Sequence, residues 1–240
     1  MRTTLSPDQI RSFAKDGYLL VPDLVDQVTV KRAQKAVDAL AERRQAGPGR
    51  HSYLRQHPGD VGPVFTRPVR AASDQLAGPL EQQGAIQVTL TVPPFAVEPD
   101  GGHLDGFDAP DQHGRPLSFT LLVGVLLSDQ SREGMGNLHV WPGTHLSAAE
   151  QVRAHGLDAF LAGFADSRPP VPHGSPVQVL GGAGDVVLVH YLLSHSIGGN
   201  TSGVVRRTVY SRLRRRGHDR VSFWTDPWHE YDGVRAVLDD

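Results

Sequence analysis

Cysteine is absent from all 240 residues. That excludes disulfides, thiolate metal sites, haem–thiolate ligation and cysteine nucleophiles, so any metal must be held by nitrogen and oxygen. Aromatic residues are scarce at 7%, and neither sign of charge dominates: 24 Lys and Arg against 26 Asp and Glu leave a formal net charge of −2. No global positive field draws such a chain to nucleic acid or to an anionic membrane surface. No apolar run approaches the ~18 residues that span a bilayer. The opening MRTTLSPDQIRSFAKDG lacks the apolar segment of a secretory leader. A cytoplasmic protein without nucleic-acid or membrane partners is expected.

Glycine and proline, by contrast, are plentiful at 26 and 18, which indicates many turns and long loops rather than a helical bundle. With 39% hydrophobic and 21% charged residues the composition is that of an ordinary globular protein. The length suits a single domain over residues 1–240, with a helical part over 1–48 and a β core over 84–215 carrying loop insertions. Ser6-Pro7 reads as a helix start and Gly17 as its end, with a short strand over residues 18–21. Apolar residues at Val28, Val30, Ala33, Val37, Leu40 and Ala41 predict a helix within 26–45. Residues 46–80 show little period and read as a long loop. IQVTLTV, residues 86–92, alternates as a strand with Gln87, Thr89 and Thr91 on one face. Further strands are expected within 118–127, 137–141, 176–180, 186–190 and 204–213, one helix within 148–165, and a hairpin turn at GGAGD (181–185). The fold class expected is mainly β with N-terminal helices, built on a jelly roll, that is a cupin-like double-stranded β-helix.

The sharpest chemical signal is GGHLDG, residues 101–106. In extended chain, positions i and i+2 point the same way, so His103 and Asp105 can converge on one metal. With twelve histidines in the chain, a His-x-Asp triplet arises by chance, so the signal needs support. GDVVLVHYLLSHSIGGNTSGVVRR, residues 184–207, supplies it, offering His190 or His195 as a third ligand. Two histidines and one carboxylate form the facial set that leaves open positions on iron for oxygen chemistry. Eleven residues after His195, Arg206 suits a two-pronged grip on the far carboxylate of a dicarboxylic co-substrate. It shares a strand face with Thr208 and Tyr210, and a one-residue slip would present Arg207 instead.

In this order and spacing the motifs resemble the phytanoyl-CoA dioxygenase-like family of Fe(II)/2-oxoglutarate-dependent oxygenases. FAKDGYLLVPDLV resembles the family's opening helix and strand, and LLVGVLLSDQSREGMGNLHVWPGTH its strand, glycine turn and Pro-Gly-Thr-His segment. By that resemblance His103, Asp105 and His195, rather than His190, hold Fe(II), and Arg206 binds 2-oxoglutarate. The family's fold and reaction follow as expectations: 2-oxoglutarate goes to succinate and carbon dioxide while dioxygen oxidises an unactivated C–H bond of a small organic substrate. Halogenating relatives replace the carboxylate by a small residue, so Asp105 favours hydroxylation or a related oxidation. One departure stands out. The family often places a serine two residues after the distal histidine to assist the arginine, and here Ile197 stands there. Gln87 and Thr89 are the candidate substitutes at the co-substrate carboxylate.

The remaining histidines carry bland expectations. His190 is a satisfied core group, His145 makes a structural hydrogen bond, and His51, His57 and His113 lie on loops near the mouth. Trp141, Trp224 and Trp228 pack. The arginines of 212–220 form a solvated face. Substrate walls are expected from 46–68, 106–116 and 146–175, and no coenzyme A signature is visible. Two other readings remain: a cupin-type metal-dependent isomerase or lyase, which commonly has more histidines and no co-substrate arginine, and a non-catalytic ligand-binding jelly roll.

Overall fold

The structure is a computed structural model and describes residues 5–56, 59–99, 101–107, 111–112 and 115–240. The chain begins with α1 (Pro7–Asp16), where the Ser6 hydroxyl accepts from Gln9 N–H and the Gln9 side chain accepts from Ser6 N–H, closing a capping box. Gly17 ends it at φ 80°, and a Cβ there would lie 2.6 Å from His145 Nδ1, so both conformation and space demand glycine. Then come β1 (Tyr18–Val21) and α2 (Gln27–Arg43), the latter capped by the Asp26 carboxylate on Val28 and Thr29 N–H.

Residues 46–80 are not the long loop the sequence suggests. They hold β2 (Arg50–Gln56), a short 3₁₀ turn (Gly62–Val64) and α3 (Arg67–Ala77). β2 is an edge strand bonded only to the next strand, so it needs no apolar run to hold it. Pro68, a loop signal by habit, sits in the first turn of α3, where a missing N–H costs nothing. Val69, Ala72 and Leu76 then give that helix its buried stripe.

There follow β3 (Leu80–Val92), β4 (Leu121–Leu126), β5 (Leu138–Val140), α4 (Thr144–His155), α5 (Leu157–Ala162), β6 (Val177–Gln178), β7 (Val186–His190), β8 (His195–Ile197), β9 (Arg206–Arg215), α6 (Ser222–Thr225) and α7 (Asp232–Leu238). Gly156 divides the single helix expected over 148–165 into α4 and α5. Among the described residues no helix is long and apolar enough to cross a membrane.

The strands form a six-stranded sheet, in the order β1-β7-β4-β9-β3-β2, and a three-stranded sheet, β6-β5-β8. GGAGD is therefore not a hairpin turn. β6 belongs to the small sheet and β7 to the large one, and the Asp185 carboxylate secures the crossing by accepting from Gly182 N–H at 2.7 Å and Asp23 N–H at 3.0 Å. Helices hold more residues than strands, so the fold is mixed α/β rather than mainly β. Alternation along the strands explains the layering. Ile86, Val88 and Leu90 of β3, Leu121, Val123 and Val125 of β4, and Leu188 of β7 meet α1, α2, α3 and α7 on one face. On the other face Leu122, Leu126, Val187 and Val189 pack against Leu138 and Val140 of the small sheet. Each such fully buried side chain contributes about 1.5–3 kcal/mol. β4 and β7 are buried on both faces, which is why they read as unbroken apolar runs.

The helical layer meets the large sheet's end through an aromatic cluster of Phe13, His145, His190, Trp228 and Tyr231. His190 Nε2 donates to Pro227 O at 2.8 Å and its Nδ1 accepts from Leu192 N–H, while His145 Nε2 donates to Ala14 O at 3.1 Å. Both are neutral core groups; His190 is bonded at both ring nitrogens, whereas His145 Nδ1 is buried without a hydrogen-bond partner. Burial, with His145 as a secondary cause, pushes His190 down to about 3, and burial pushes His145 down to about 4. Because the unfolded chain takes up protons below 6.5 that the folded chain refuses, stability is fully present above that pH and declines as the pH falls toward 4. Thermal unfolding of His190→Gln should show a shallower fall of Tm over this window than the parent; an unchanged slope would contradict the assignment.

Candidate active site

The loop after β3 and the start of β8 are brought together by backbone hydrogen bonds. His103 N–H donates to His195 O at 2.9 Å and His195 N–H to His103 O at 3.1 Å, an antiparallel bridge that sets the two imidazoles side by side. Their ring centroids lie 4.7 Å apart. The loop can press this close because Gly102 has φ 76° and no side chain; a Cβ there would stand 2.6 Å from the Trp141 ring. Asp105, two residues on, places Oδ1 3.7 Å from His103 Nε2 and 3.8 Å from His195 Nε2.

His195 Nδ1 donates to Leu193 O at 3.0 Å, which leaves the Nε2 lone pair facing Asp105. Asp105 Oδ2 is fully engaged, accepting from Arg212 Nη2 at 2.7 Å and Nε at 3.0 Å, and Arg212 Nη1 donates to Gln87 Oε1 at 3.0 Å. Burial alone would raise the Asp105 carboxyl, but Arg212, with the two imidazoles, overrides it and holds the group well below the usual carboxylate range. Burial and the neighbouring His103 push His195 down to about 4, so it is a neutral imidazole at neutral pH. One atom from each of the three side chains lies within 4.8 Å of the others. His103 Nε2, His195 Nε2 and the anionic Asp105 Oδ1 converge on one place, and a divalent cation can take all three as ligands at once. This donor set fits Fe(II) and its first-row neighbours.

The triad opens into a cavity of about 610 Å³ between the two sheets, within the ~300–1,000 Å³ typical of small-molecule sites. At one end lies Arg206, 1% exposed. Its Nη1 donates to Thr89 Oγ1 at 2.8 Å, Nη2 to Tyr210 Oη at 2.9 Å and Nε to Gln130 Oε1 at 3.2 Å. These acceptors are all neutral, and among the described residues no carboxylate lies within 4 Å of it. Arg207 points to the opposite face and pairs with Asp38 at 2.7 Å, which resolves the register question in favour of Arg206.

Of the two candidate helpers, Thr89 reaches Arg206, whereas Gln87 turns to Arg212. Ile197 lines the cavity, and Gln130 and Tyr210 are the polar groups found at the guanidinium. Tyr210 shares its strand parity with Arg206, a visible signal; Gln130 lies in a connecting segment with no motif. Arg212 and Arg214 line the cavity rather than a solvated face, because residues 206, 210, 212 and 214 share the inner side of β9. Arg215 and Arg216 do lie outward, paired with Asp232 and Glu81. The missed β2 contributes Tyr53 to the wall, while its His51 is half-buried, hydrogen-bonded to Thr91 Oγ1 at 2.7 Å, and driven to about 3 by burial and Arg206. Gly106, Phe107 and Ser167 come from the other expected wall segments. Trp141, Trp224 and Trp228 pack as expected. His57 and His113 fall outside the described residues.

The sequence profile of phytanoyl-CoA dioxygenase (PhyH) matches residues 64–208, more than half the chain and inclusive of the triad and Arg206. The chain belongs to the phytanoyl-CoA dioxygenase family. Solved structures that share the fold include the following three. SnoK, described as a non-heme alpha ketoglutarate dependent carbocyclase from nogalamycin biosynthesis, is 24% identical with a TM-score of 0.63, covering 88% of this chain and 84% of that one. SnoN, the epimerase from nogalamycin biosynthesis, is 21% identical with a TM-score of 0.59, covering 91% and 88%. HygX from Streptomyces hygroscopicus, with nickel and 2-oxoglutarate bound, is 16% identical with a TM-score of 0.62, covering 88% of each. No curated protein matches the chain by sequence. Membership of the phytanoyl-CoA dioxygenase family, together with the His103–Asp105–His195 cluster, makes the protein a metal-dependent oxidoreductase.

Within this site Arg212 fixes which oxygen Asp105 can offer. Outer groups that orient a ligand typically account for about 10–100-fold in metal affinity. Arg212→Met should weaken Mn(II) binding by about that factor in an EPR titration, with Arg212→Lys in between. Unchanged affinity in the Met variant would show that the clamp does not matter.

Proposed function

We propose that the protein is a non-haem Fe(II)/2-oxoglutarate-dependent oxygenase acting on a C–H bond of a small organic substrate, with dioxygen consumed and succinate and carbon dioxide released. One observation carries this reading: Arg206, a buried guanidinium without a carboxylate partner among the described residues, shares a cavity with two imidazole nitrogens and a carboxylate oxygen that converge on one place. A buried charge left unpaired is strongly unfavourable, so the site is incomplete until an anion arrives. A co-substrate with two carboxylate ends meets that need while its other end lies toward the triad.

Fe(II) held by His103, Asp105 and His195 supplies, with 2-oxoglutarate, the oxidising chemistry that no side chain of this protein possesses. The protein's own groups bind and orient. His195 offers Nε2 because Leu193 O fixes the proton on Nδ1. Asp105 offers Oδ1 because Arg212 occupies Oδ2. Thr89, Gln130 and Tyr210 aim the Arg206 fork without neutralising it, which keeps its charge for the ligand. Leu122, Leu138 and Ile197 line the cavity with apolar surface that excludes water.

Hydroxylation is one outcome of this chemistry. The descriptions of SnoK as a carbocyclase and SnoN as an epimerase support ring closure and epimerisation beside it. These descriptions favour an isomerising outcome, the direction of the cupin-type isomerase alternative raised from the sequence, over plain hydroxylation, though here with the co-substrate arginine that the alternative lacked. We read the two sheets as halves of a double-stranded β-helix, residues 1–240 as one catalytic unit with 84–215 as its core, and the cytoplasm as its compartment. The family match and the absence of cysteine support these readings.

Anaerobic calorimetry tests the co-substrate site without knowledge of the substrate. Fe(II)-loaded protein should bind 2-oxoglutarate, and Arg206→Gln should weaken that binding by about 10–100-fold, the worth of one charge-assisted pair. His103→Ala and Asp105→Ala should abolish Fe(II)-dependent succinate formation. Full iron binding and turnover in His195→Ala, with loss in His190→Ala, would overturn the ligand assignment.

A further inference from the structure

We propose that the end of the cavity beyond Arg212 is an anion subsite, in which Arg214 receives the acidic group of an organic anion whose body is apolar. This deepens the oxygenase reading above, on which it rests, by assigning the chemical class of the substrate.

Arg206, Tyr210, Arg212 and Arg214 line the cavity from a single face of β9. Each two-residue step along a strand advances ~6.7 Å. Arg206 lies at one end, Arg212 stands against Asp105, and Arg214 is one step farther from Arg206. The triad therefore has a cation on either side of it. Arg206 is matched to the co-substrate and Arg212 to Asp105, which leaves Arg214 unassigned.

Arg214 is poorly compensated by the protein itself. Its Nη2 donates to Ser118 O at 2.7 Å, its Nε is buried without a hydrogen-bond partner, and among the described residues no carboxylate lies within 4 Å of it. The acids nearby are committed elsewhere. Glu230 accepts from His218 Nδ1 at 2.7 Å, from Asp219 N–H at 3.0 Å and from the Thr120 hydroxyl. Glu81, its partner across the β3–β9 ladder, binds Arg216 at 2.9 Å, and Asp111 binds Arg115 at 3.1 Å. Burial, and then repulsion from Arg220, lower the Arg214 pKa against a smaller opposing pull from Glu230.

The whole cavity carries the same bias. Among the described residues its wall contains three guanidiniums and one carboxylate, Asp105. With a divalent ion and a dianionic co-substrate in place, positive charge still remains in surplus. A cationic substrate is repelled, a neutral acceptor can take a guanidinium hydrogen bond but leaves its charge uncompensated, and an anion answers both. The surrounding wall is apolar and aromatic. Phe107 stacks on Phe164 at 4.4 Å, Phe119 lies against the Arg212 guanidinium, and Leu117 adjoins Ser118. Such walls suit a hydrocarbon or aryl body that places a C–H bond near the triad while its charged end reaches Arg214.

The test uses the full chain loaded with Mn(II) and saturated with 2-oxoglutarate, so that Arg206 is occupied. Binding of 3-phenylpropionate is compared by calorimetry with that of its isosteric amide and of 3-phenylpropylamine. The carboxylate should bind at least about tenfold more tightly than the amide, and the amine most weakly. Arg214→Gln should abolish the preference and Arg214→Lys retain it in part, with 2-oxoglutarate affinity unaltered in both. A carboxylate that does not bind, or binds no better than the amide, overturns the subsite, as does a preference that survives Arg214→Gln. Failure of the Mn(II) protein to bind 2-oxoglutarate in the first step overturns the oxygenase reading and the subsite together.

Discussion

Two backbone hydrogen bonds between His103 and His195 hold the site in being. They join a glycine-flanked loop to the first residue of β8, and every later feature depends on that junction. β8 is fixed in turn through β5, whose Leu138 and Val140 pack onto the inner face of the large sheet. From the opposite side, Arg212 of β9 reaches across to Asp105. The three side chains of the triad are thus held from both sheets, His195 by the small one and Asp105 by a clamp from the large one. A shift of one sheet against the other would separate the imidazoles from the carboxylate.

The electrostatics follow from the periodicity of one strand. Because alternate residues of β9 face inward, the strand delivers Arg206 at its start and Arg212 and Arg214 near its end to one cavity, with Tyr210 between them. Their outward neighbours, Arg207 and Arg215, find acids at the surface and do ordinary structural work. The inward three differ only in what meets them: neutral hydrogen-bond acceptors for Arg206, the metal-facing carboxylate for Arg212, and a lone carbonyl for Arg214. Identical residue types thereby acquire distinct roles from position alone.

Much of this was legible in the residues. Ser6-Pro7 and Gly17 mark α1 because capping chemistry is local, and the alternation in IQVTLTV assigns Gln87 and Thr89 to the inner face because strand periodicity is rigid. The His-x-Asp triplet gained meaning only through the distant His195, since a pair of ligands at i and i+2 is common by chance. What escaped reading depends on tertiary context. β2 is a polar edge strand, RHSYLRQ, with no apolar signature of its own. Gln130 reaches Arg206 from a segment whose course is set by its pairing with Gly181. Arg212 and Arg214 were indistinguishable from surface arginines until the parity of β9 was known. The GGAGD segment looked like a turn between paired strands because local chemistry does not reveal which sheet each strand joins.

The most direct test of the central claim is a crystal structure of the protein grown anaerobically with Mn(II) and 2-oxoglutarate, using anomalous scattering to locate the metal. The account predicts one ion bound by His103 Nε2, Asp105 Oδ1 and His195 Nε2, with the co-substrate's distal carboxylate on the Arg206 guanidinium. A metal held by other residues, or a 2-oxoglutarate that leaves Arg206 untouched, would contradict it.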